Sequence, residues 1–322
     1  MPFATAGPAM ADFGRALALA FTTRTIRRLA AQHHPLPSDR LAPVVELAGP
    51  DDTLGDAFDL AYAELASQYR CEYVFANSLI DRLSAVPPDA RHALAPRSTS
   101  NTISGLRVSM SIADLIVADK SAAAYEIKTG LDSFTRLDMQ MLCYRRCFEY
   151  VNVVTTRQKA RRAAAQTAAH VGVVTLTDDG ALDVVRAAAG GLSRIDMSAL
   201  FRVLRRGELL TILGRRVGYS IDVPSAQIYR RLNALFMQLP LDTAYDEFVA
   251  ALRERDLRSR QAARDAQLPA SLSAAASGLS LTPPGWRRLA AQLGCPAHEF
   301  RTRGTQGNGH GSIRSFNSSS IR

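Results

Sequence analysis

LRVSMSIADLIVADKSAAAYEIK, residues 106–128, switches the chain from a helical to an extended period and decides the fold. Leu106 to Val117 reads as one or two strands and Ala122 to Lys128 as another, with Ala118 to Ser121 supplying a hairpin turn. Asp114 is the anomaly within it. Ile112, Leu115, Ile116 and Val117 make both faces of its strand apolar, and a carboxylate there is costly unless it has a partner. Further on, Tyr125-Glu-Ile-Lys128 puts Glu126 and Lys128 on one side of a strand and Tyr125 and Ile127 on the other. A hairpin centred near Asp119 and Lys120 can bring Asp114 and Glu126 side by side on one face. Two adjacent carboxylates with a lysine beside them are a ligand set that holds Mg²⁺ and positions a water against a phosphodiester. A second reading stands beside this one: Glu126 and Lys128 form an ordinary same-face ion pair, and Asp114 is satisfied by backbone amides or by Arg107. So short a pattern also recurs by chance.

Working outward, residues 11–31 form an Ala-rich helical segment stopped by prolines in the 33–39 stretch. A second helix is expected over about 52–83, because Leu54, Phe58, Ala61, Leu65, Tyr69 and Tyr73 recur at three- and four-residue spacing. Pro87 and Pro88 end it, and a polar loop over about 87–104 leads to the hairpin. Downstream, a helix at 134–148, a strand at 151–156, a helix at 158–169, a strand at 171–176 and a strand at 182–185 alternate. That order argues for an α/β sandwich with a mixed sheet. Helices are expected again at 197–213, 225–239 and 244–255. The division expected is an N-terminal helical segment (1–50), a central core (51–190), an all-α appendage (191–264) and a low-complexity, mostly disordered tail (265–322). No internal repeat stands out.

Of 322 residues, 47% are apolar and 21% charged, which excludes collagen-like and wholly disordered chains. No apolar run is long enough for a membrane span, and the N-terminal run is broken by Arg15, so a cytoplasmic protein without membrane contact is expected. Four scattered cysteines are no disulfide framework. The net charge of +9 favours a polyanionic partner, nucleic acid first, although solvated helix faces would carry the same excess. Phosphate-binding glycine motifs are absent, which leaves no cofactor-binding site of that kind. His33 and His34 have no acid at metal spacing, His170 opens a strand and reads as structural, and Lys159, Arg161 and Arg162 could track a phosphate backbone or form a solvated face.

The arrangement of helix, hairpin with D and ExK, helix, strand, helix, strand, together with Gln140-Met-Leu-Cys-Tyr144, resembles the PD-(D/E)xK nuclease superfamily, in particular its branches with a QxxxY motif. The resemblance runs over about residues 54–186 through RCEYVFAN (70–77), SIADLIV (111–117), YEIKTGLDSFTRL (125–137) and the QMLCY segment. It implies a restriction-endonuclease-like mixed sheet flanked by helices, and a Mg²⁺- or Mn²⁺-dependent nuclease whose substrate is nucleic acid, DNA ahead of RNA. By the same resemblance Asp114 and Glu126 are metal ligands, the Ile127 carbonyl is a third, and Lys128 orients the water. Gln140 and Tyr144 would touch the carboxylates or the substrate phosphate. Ala113 stands where the motif has proline, which contributes no ligand. The helix-borne acid is Glu72 by its place in RCEYVFAN, with Glu64 the runner-up, and Glu72 could instead pair with Arg70 or Arg82. The alternative is a non-catalytic nucleic-acid- or partner-binding module on the same fold, with the helical appendage, rich in arginine, as the surface for substrate or a protein partner.

Overall fold

The expected hairpin forms one half of a six-stranded mixed sheet with strands in sequence order. The structure, a computed structural model, describes residues 8–85 and 100–302. Helices α1 (Pro8–Ala20), α2 (Thr23–Ala31), α3 (Ala42–Glu46), α4 (Leu54–Gln68) and α5 (Glu72–Ala85) precede the sheet. Strands β1 (Asn101–Val108), β2 (Ser111–Ala118) and β3 (Ala122–Lys128) form an antiparallel meander. Crossovers through α6 (Leu137–Tyr144) and α7 (Arg157–Gln166) then add β4 (Tyr150–Thr155) and β5 (Gly172–Leu176) in parallel, and β6 (Leu182–Arg186) closes the edge antiparallel to β5. Then come α8 (Met197–Val203), α9 (Arg206–Val217), α10 (Ile228–Phe236), α11 (Leu241–Glu254), α12 (Leu257–Asp265), α13 (Ser273–Ser277) and α14 (Pro283–Leu293). Among the described residues no helix is long and apolar enough to cross a membrane.

Every residue of β3 is buried, because parallel pairing on one side and helices on both faces leave it no contact with water. Alternation along β2 and β3 sorts their side chains. Ile116, Ala118, Ala122 and Ala124 face a core shared with Leu137 and Tyr144 of α6 and with α8 to α11, including Leu200, Leu213 and Phe248. Leu115, Val117, Tyr125 and Ile127 face Phe75 and Leu79 of α5. The helices of residues 191–255 thus pack onto the sheet and share its core. A third core joins α1 to α4 with the segment after Leu257, around Leu17, Phe21, Phe58 and Trp286.

Several expected elements differ. The 11–31 segment divides because Thr22 ends α1 and caps α2, accepting the Thr25 N–H. The 52–83 helix breaks at residues 69–71, and the 197–213 helix between Val203 and Arg206. The expected tail begins too early. Residues 270–300 carry helices whose Leu272, Trp286, Leu289 and Phe300 are fully buried, because an Ala/Ser-rich composition conceals an apolar stripe at helical spacing. The remainder of that tail, 303–322, and most of the loop with Pro87 and Pro88 lie outside the described residues.

Candidate active site

Asp114, Glu126 and Lys128 share the α6 side of the sheet. The β2–β3 ladder ends at Leu115 opposite Tyr125, and one more step of that register sets Asp114 across from Glu126. At this point the Asp114 side chain replaces a ladder acceptor: its Oδ2 accepts the Ile127 N–H at 2.7 Å. Asp114 is therefore satisfied by a backbone amide, while Arg107 is exposed. Glu126 is 1% exposed and its carboxylate is held from three directions. Lys128 Nζ donates to Oε1 at 2.6 Å, Gln140 Nε2 donates to the same oxygen, and the Tyr144 hydroxyl lies 2.7 Å from Oε2. That hydroxyl is also 2.7 Å from the Ile112 carbonyl, and having one proton it donates to one acceptor at a time. Gln140 and Tyr144 reach one carboxylate together because four residues make about one helical turn.

Charge in this pocket is unbalanced. Burial, then Glu126 and Glu72, push the Asp114 carboxyl up to about 8, against the Ile127 hydrogen bond and the attraction of Lys128. Glu72 opens α5 as an exposed residue, yet its carboxyl end is also pushed up, first by lost hydration and then by Asp132 and Glu126, with Lys128 opposing. Tyr144 is raised by burial and by Glu126, so it remains a hydrogen-bond donor. Neither expected alternative partner holds Glu72: Arg70 pairs with Asp178 and donates to the Thr177 carbonyl, and Arg82 donates to the Gly180 carbonyl. Glu64 lines a small cavity between α1 and α4 with Met10, Phe13 and Tyr69, and does not enter the charge field of Asp114.

These observations bear on whether a cation fits. Among the described residues no group of three or more His, Cys, Asp or Glu is arranged to hold a metal ion. Mg²⁺, however, commonly takes only one or two carboxylates, completing its shell with water and substrate phosphate. Asp114 and Glu126 supply two such carboxylates, and their mutual repulsion is what a cation would relieve. The Gln140 Oε1 is in addition a buried acceptor without a partner. Ile127 is buried on β3 next to Glu126, its N–H bound to Asp114, and the donor its carbonyl could provide is a main-chain oxygen.

Sequence reasoning missed Asp132 and gave Lys159 another role. Asp132 Oδ2 accepts the Thr129 N–H at 2.8 Å and its hydroxyl at 2.7 Å, which closes the turn after β3. Lys159 on α7 donates to the carbonyls of Thr129, Gly130 and Asp132 at 2.5 to 2.9 Å, so it secures this turn instead of tracking phosphate. The nearby cleft of about 500 Å³, at the ends of β4 and β5, is lined by Thr156, Arg157, Thr177, Asp178 and Asp183 and contains none of the expected site residues. Arginines of the appendage are also engaged internally: Arg205 with Asp256, Arg215 and Arg216 with Glu247, Arg231 with Asp222, and Arg255 with Glu208.

Comparison with known proteins places this architecture. Protein cII of Enterobacteria phage P4 is 27% identical over 146 residues, which are 44% of this chain and 54% of that protein, so the chain spans about half the length of the curated relative it matches. A solved structure, the SPO1766 protein of unknown function from Silicibacter pomeroyi, aligns with 39% of this chain and 86% of its own at 13% identity and a TM-score of 0.26, too slight a likeness to carry an argument. The family model for bacteriophage P4 protein cII matches residues 66–273, well over half of the chain and including every strand and all of Glu72, Asp114, Glu126, Lys128, Gln140 and Tyr144, and the chain belongs to that family.

Proposed function

We propose that the protein is a Mg²⁺- or Mn²⁺-dependent nuclease of the PD-(D/E)xK kind, hydrolysing phosphodiester bonds in nucleic acid, DNA ahead of RNA, in the cytoplasm. The observation that carries this reading is the buried Glu126, fastened by Lys128, Gln140 and Tyr144 and set across from Asp114 on one face of the sheet. Asp114 and Glu126 would hold the cation, with the Ile127 carbonyl as a further donor and Glu72 approaching from α5. When bound, such a cation offsets charge on the scissile phosphate and lowers the pKa of an attacking water. Gln140 and Tyr144 fix the orientation of the Glu126 carboxylate, and Lys128 supplies the positive charge beside it.

One observation favours a second reading, a binding module without catalysis. The Glu126 carboxylate already has three partners, and no third acid completes a metal cluster among the described residues. A digestion assay on double-stranded DNA, single-stranded DNA and RNA, with Mg²⁺ or Mn²⁺, separates the two. The nuclease reading expects cleavage that EDTA abolishes, lost in Asp114→Asn and Glu126→Gln and slowed in Lys128→Ala, each shown to be folded. A wild type that binds one of these substrates and cleaves none belongs to the second reading.

A further inference from the structure

Helices α2 and α14, which pack together, carry one short repeat, against the expectation of none. Residues 27–32 and 287–292 both read Arg-Arg-Leu-Ala-Ala-Gln, each five positions after a threonine. Structure makes the two segments equivalent. Thr22 caps α2 by accepting the Thr25 N–H, and Thr282 caps α14 by accepting the Gly285 N–H. Ile26 and Leu29 are buried on α2 as Trp286 and Leu289 are on α14. Even the glutamines agree, since the side-chain oxygens of Gln32 and Gln292 are both buried without a partner. The helices pack together, with Arg288 Nε donating to the Ala30 carbonyl at 2.9 Å, and Trp286 Nε1 ties α14 to Ser259 of α12 at 2.9 Å.

With the apolar residues turned inward, arginine is what these helices present to solvent. Arg24, Arg27 and Arg28 lie on one exposed face of α2, Arg287 is exposed on α14, and Arg258 and Arg264 are exposed on α12. None of these six side chains forms an ion pair or hydrogen bond within the described residues, unlike Arg205, Arg215, Arg216 and Arg231, which pair with acids. Neither α2 nor α14 contains an acid, and the one on α12, Asp265, accepts from Gln261.

We infer that α2, α14 and α12 form a nucleic-acid backbone-binding surface, distinct from the sheet site, in which the duplicated arginine helices grip successive phosphates. Charge complementarity is the argument: a guanidinium pairs with phosphate in a fixed two-pronged geometry, and six unpaired arginines on helices that carry a single acid have no internal role. A lipid surface fits less well, because an interfacial helix needs an exposed apolar face, and α2 and α14 bury theirs while α12 exposes only Leu257. The choice of nucleic acid among soluble polyanions rests on the phosphodiester reading of the sheet site.

The test is fluorescence anisotropy of the full chain with a labelled DNA duplex of arbitrary sequence, in EDTA so that nothing is cleaved, across a salt series. Arg24→Gln, Arg27→Gln, Arg28→Gln and Arg287→Gln together should weaken binding at least ~10-fold near 0.1 M salt and flatten the log–log salt slope by about 3.6, since each phosphate contact contributes roughly 0.9. The four matching lysine substitutions should restore most of the slope and show that the glutamine variant's loss is one of charge. An unchanged affinity and slope in the glutamine variant overturns the inference, as does a weakened affinity that lysine does not restore. Preferential binding of the wild type to phosphatidylserine vesicles over DNA overturns it as well. Because binding is read without metal, a catalytically inert protein can still bear it out, and an active nuclease can still refute it.

Discussion

Asp114 brings a third negative group close to Glu126 and Glu72 where one lysine balances them, and the consequence is measurable without any substrate. Its carboxyl is raised to about 8 by burial first and by its acidic neighbours next. A carboxyl raised by folding contributes stability below its unfolded value of 3.8 and loses it as pH climbs through the folded value. Wild type should therefore lose stability relative to Asp114→Asn between about pH 4 and pH 8, because asparagine keeps the shape with no proton to release. Thermal melts at pH 5 and pH 8 check this, and an unchanged gap between the two proteins contradicts it. On the proposed metal-dependent reading Mg²⁺ would bind the ionised form, so at pH 8 it should raise the wild-type midpoint, by about 2.7 kcal/mol of stability at a hundred times its dissociation constant, and leave Asp114→Asn unmoved. The neighbouring pair behaves differently. Lys128 and Glu126 are both buried, so Lys128→Met alone should cost about 3–5 kcal/mol, while adding Glu126→Gln should recover much of the loss, because an apolar or neutral pair needs no compensating charge.

At the level of elements, β2 and β3 were legible because a fully apolar strand with one aspartate, followed by alternating Tyr125-Glu-Ile-Lys128, has few other solutions. Gln140 and Tyr144 were legible for a related reason, since their spacing alone puts them on one face of α6. The break between α4 and α5 was not. Leu65, Tyr69 and Tyr73 keep a four-residue spacing straight across residues 69–71, so periodicity predicts continuity where the chain turns. That turn is what places Glu72 at the beginning of a helix, facing the charges of β3 rather than lying midway along a longer one. Lys159 was hidden differently: its partners are carbonyls of a turn formed well upstream, and no side-chain pattern announces them. Lys159→Met should release that turn. Hydrogen exchange should accelerate about tenfold or more over residues 129–134, the mark of a local opening, while protection in β3 and β4 stays as it was. Uniform loss across the sheet would mean that Lys159 supports the whole crossover instead.

Across the whole molecule, α1 to α4 and the helices after Leu257 form one core, and this core is coupled to the sheet site through α5. The segment after Pro269 latches that helix: Tyr73 Oη donates to the Ser271 carbonyl at 2.7 Å, Asn77 Nδ2 to the Ala270 carbonyl at 3.1 Å, and Asn77 Oδ1 accepts the Ala274 N–H at 2.9 Å. Trp286 anchors the same segment against Ile26 and Leu29, 1% exposed and with its indole N–H satisfied by Ser259. Deleting so large a buried side chain should cost about 3–5 kcal/mol, and the loss should fall first on the terminal core, since the sheet has its own apolar contacts on both faces. Trp286→Ala is therefore expected to split thermal unfolding into two transitions, the lower one exposing α1 to α4 to protease. Asn77→Ala removes two buried hydrogen bonds of the latch and touches no residue of the candidate site. Its stability loss should be smaller, about 1–3 kcal/mol for the groups left unpaired, yet it should loosen α5 and with it Glu72. If Asn77→Ala melts in one transition and keeps the wild-type response to Mg²⁺, the latch serves stability alone; a weakened Mg²⁺ response in a protein that is still folded is the outcome expected of a terminal core that holds the helix-borne acid in place.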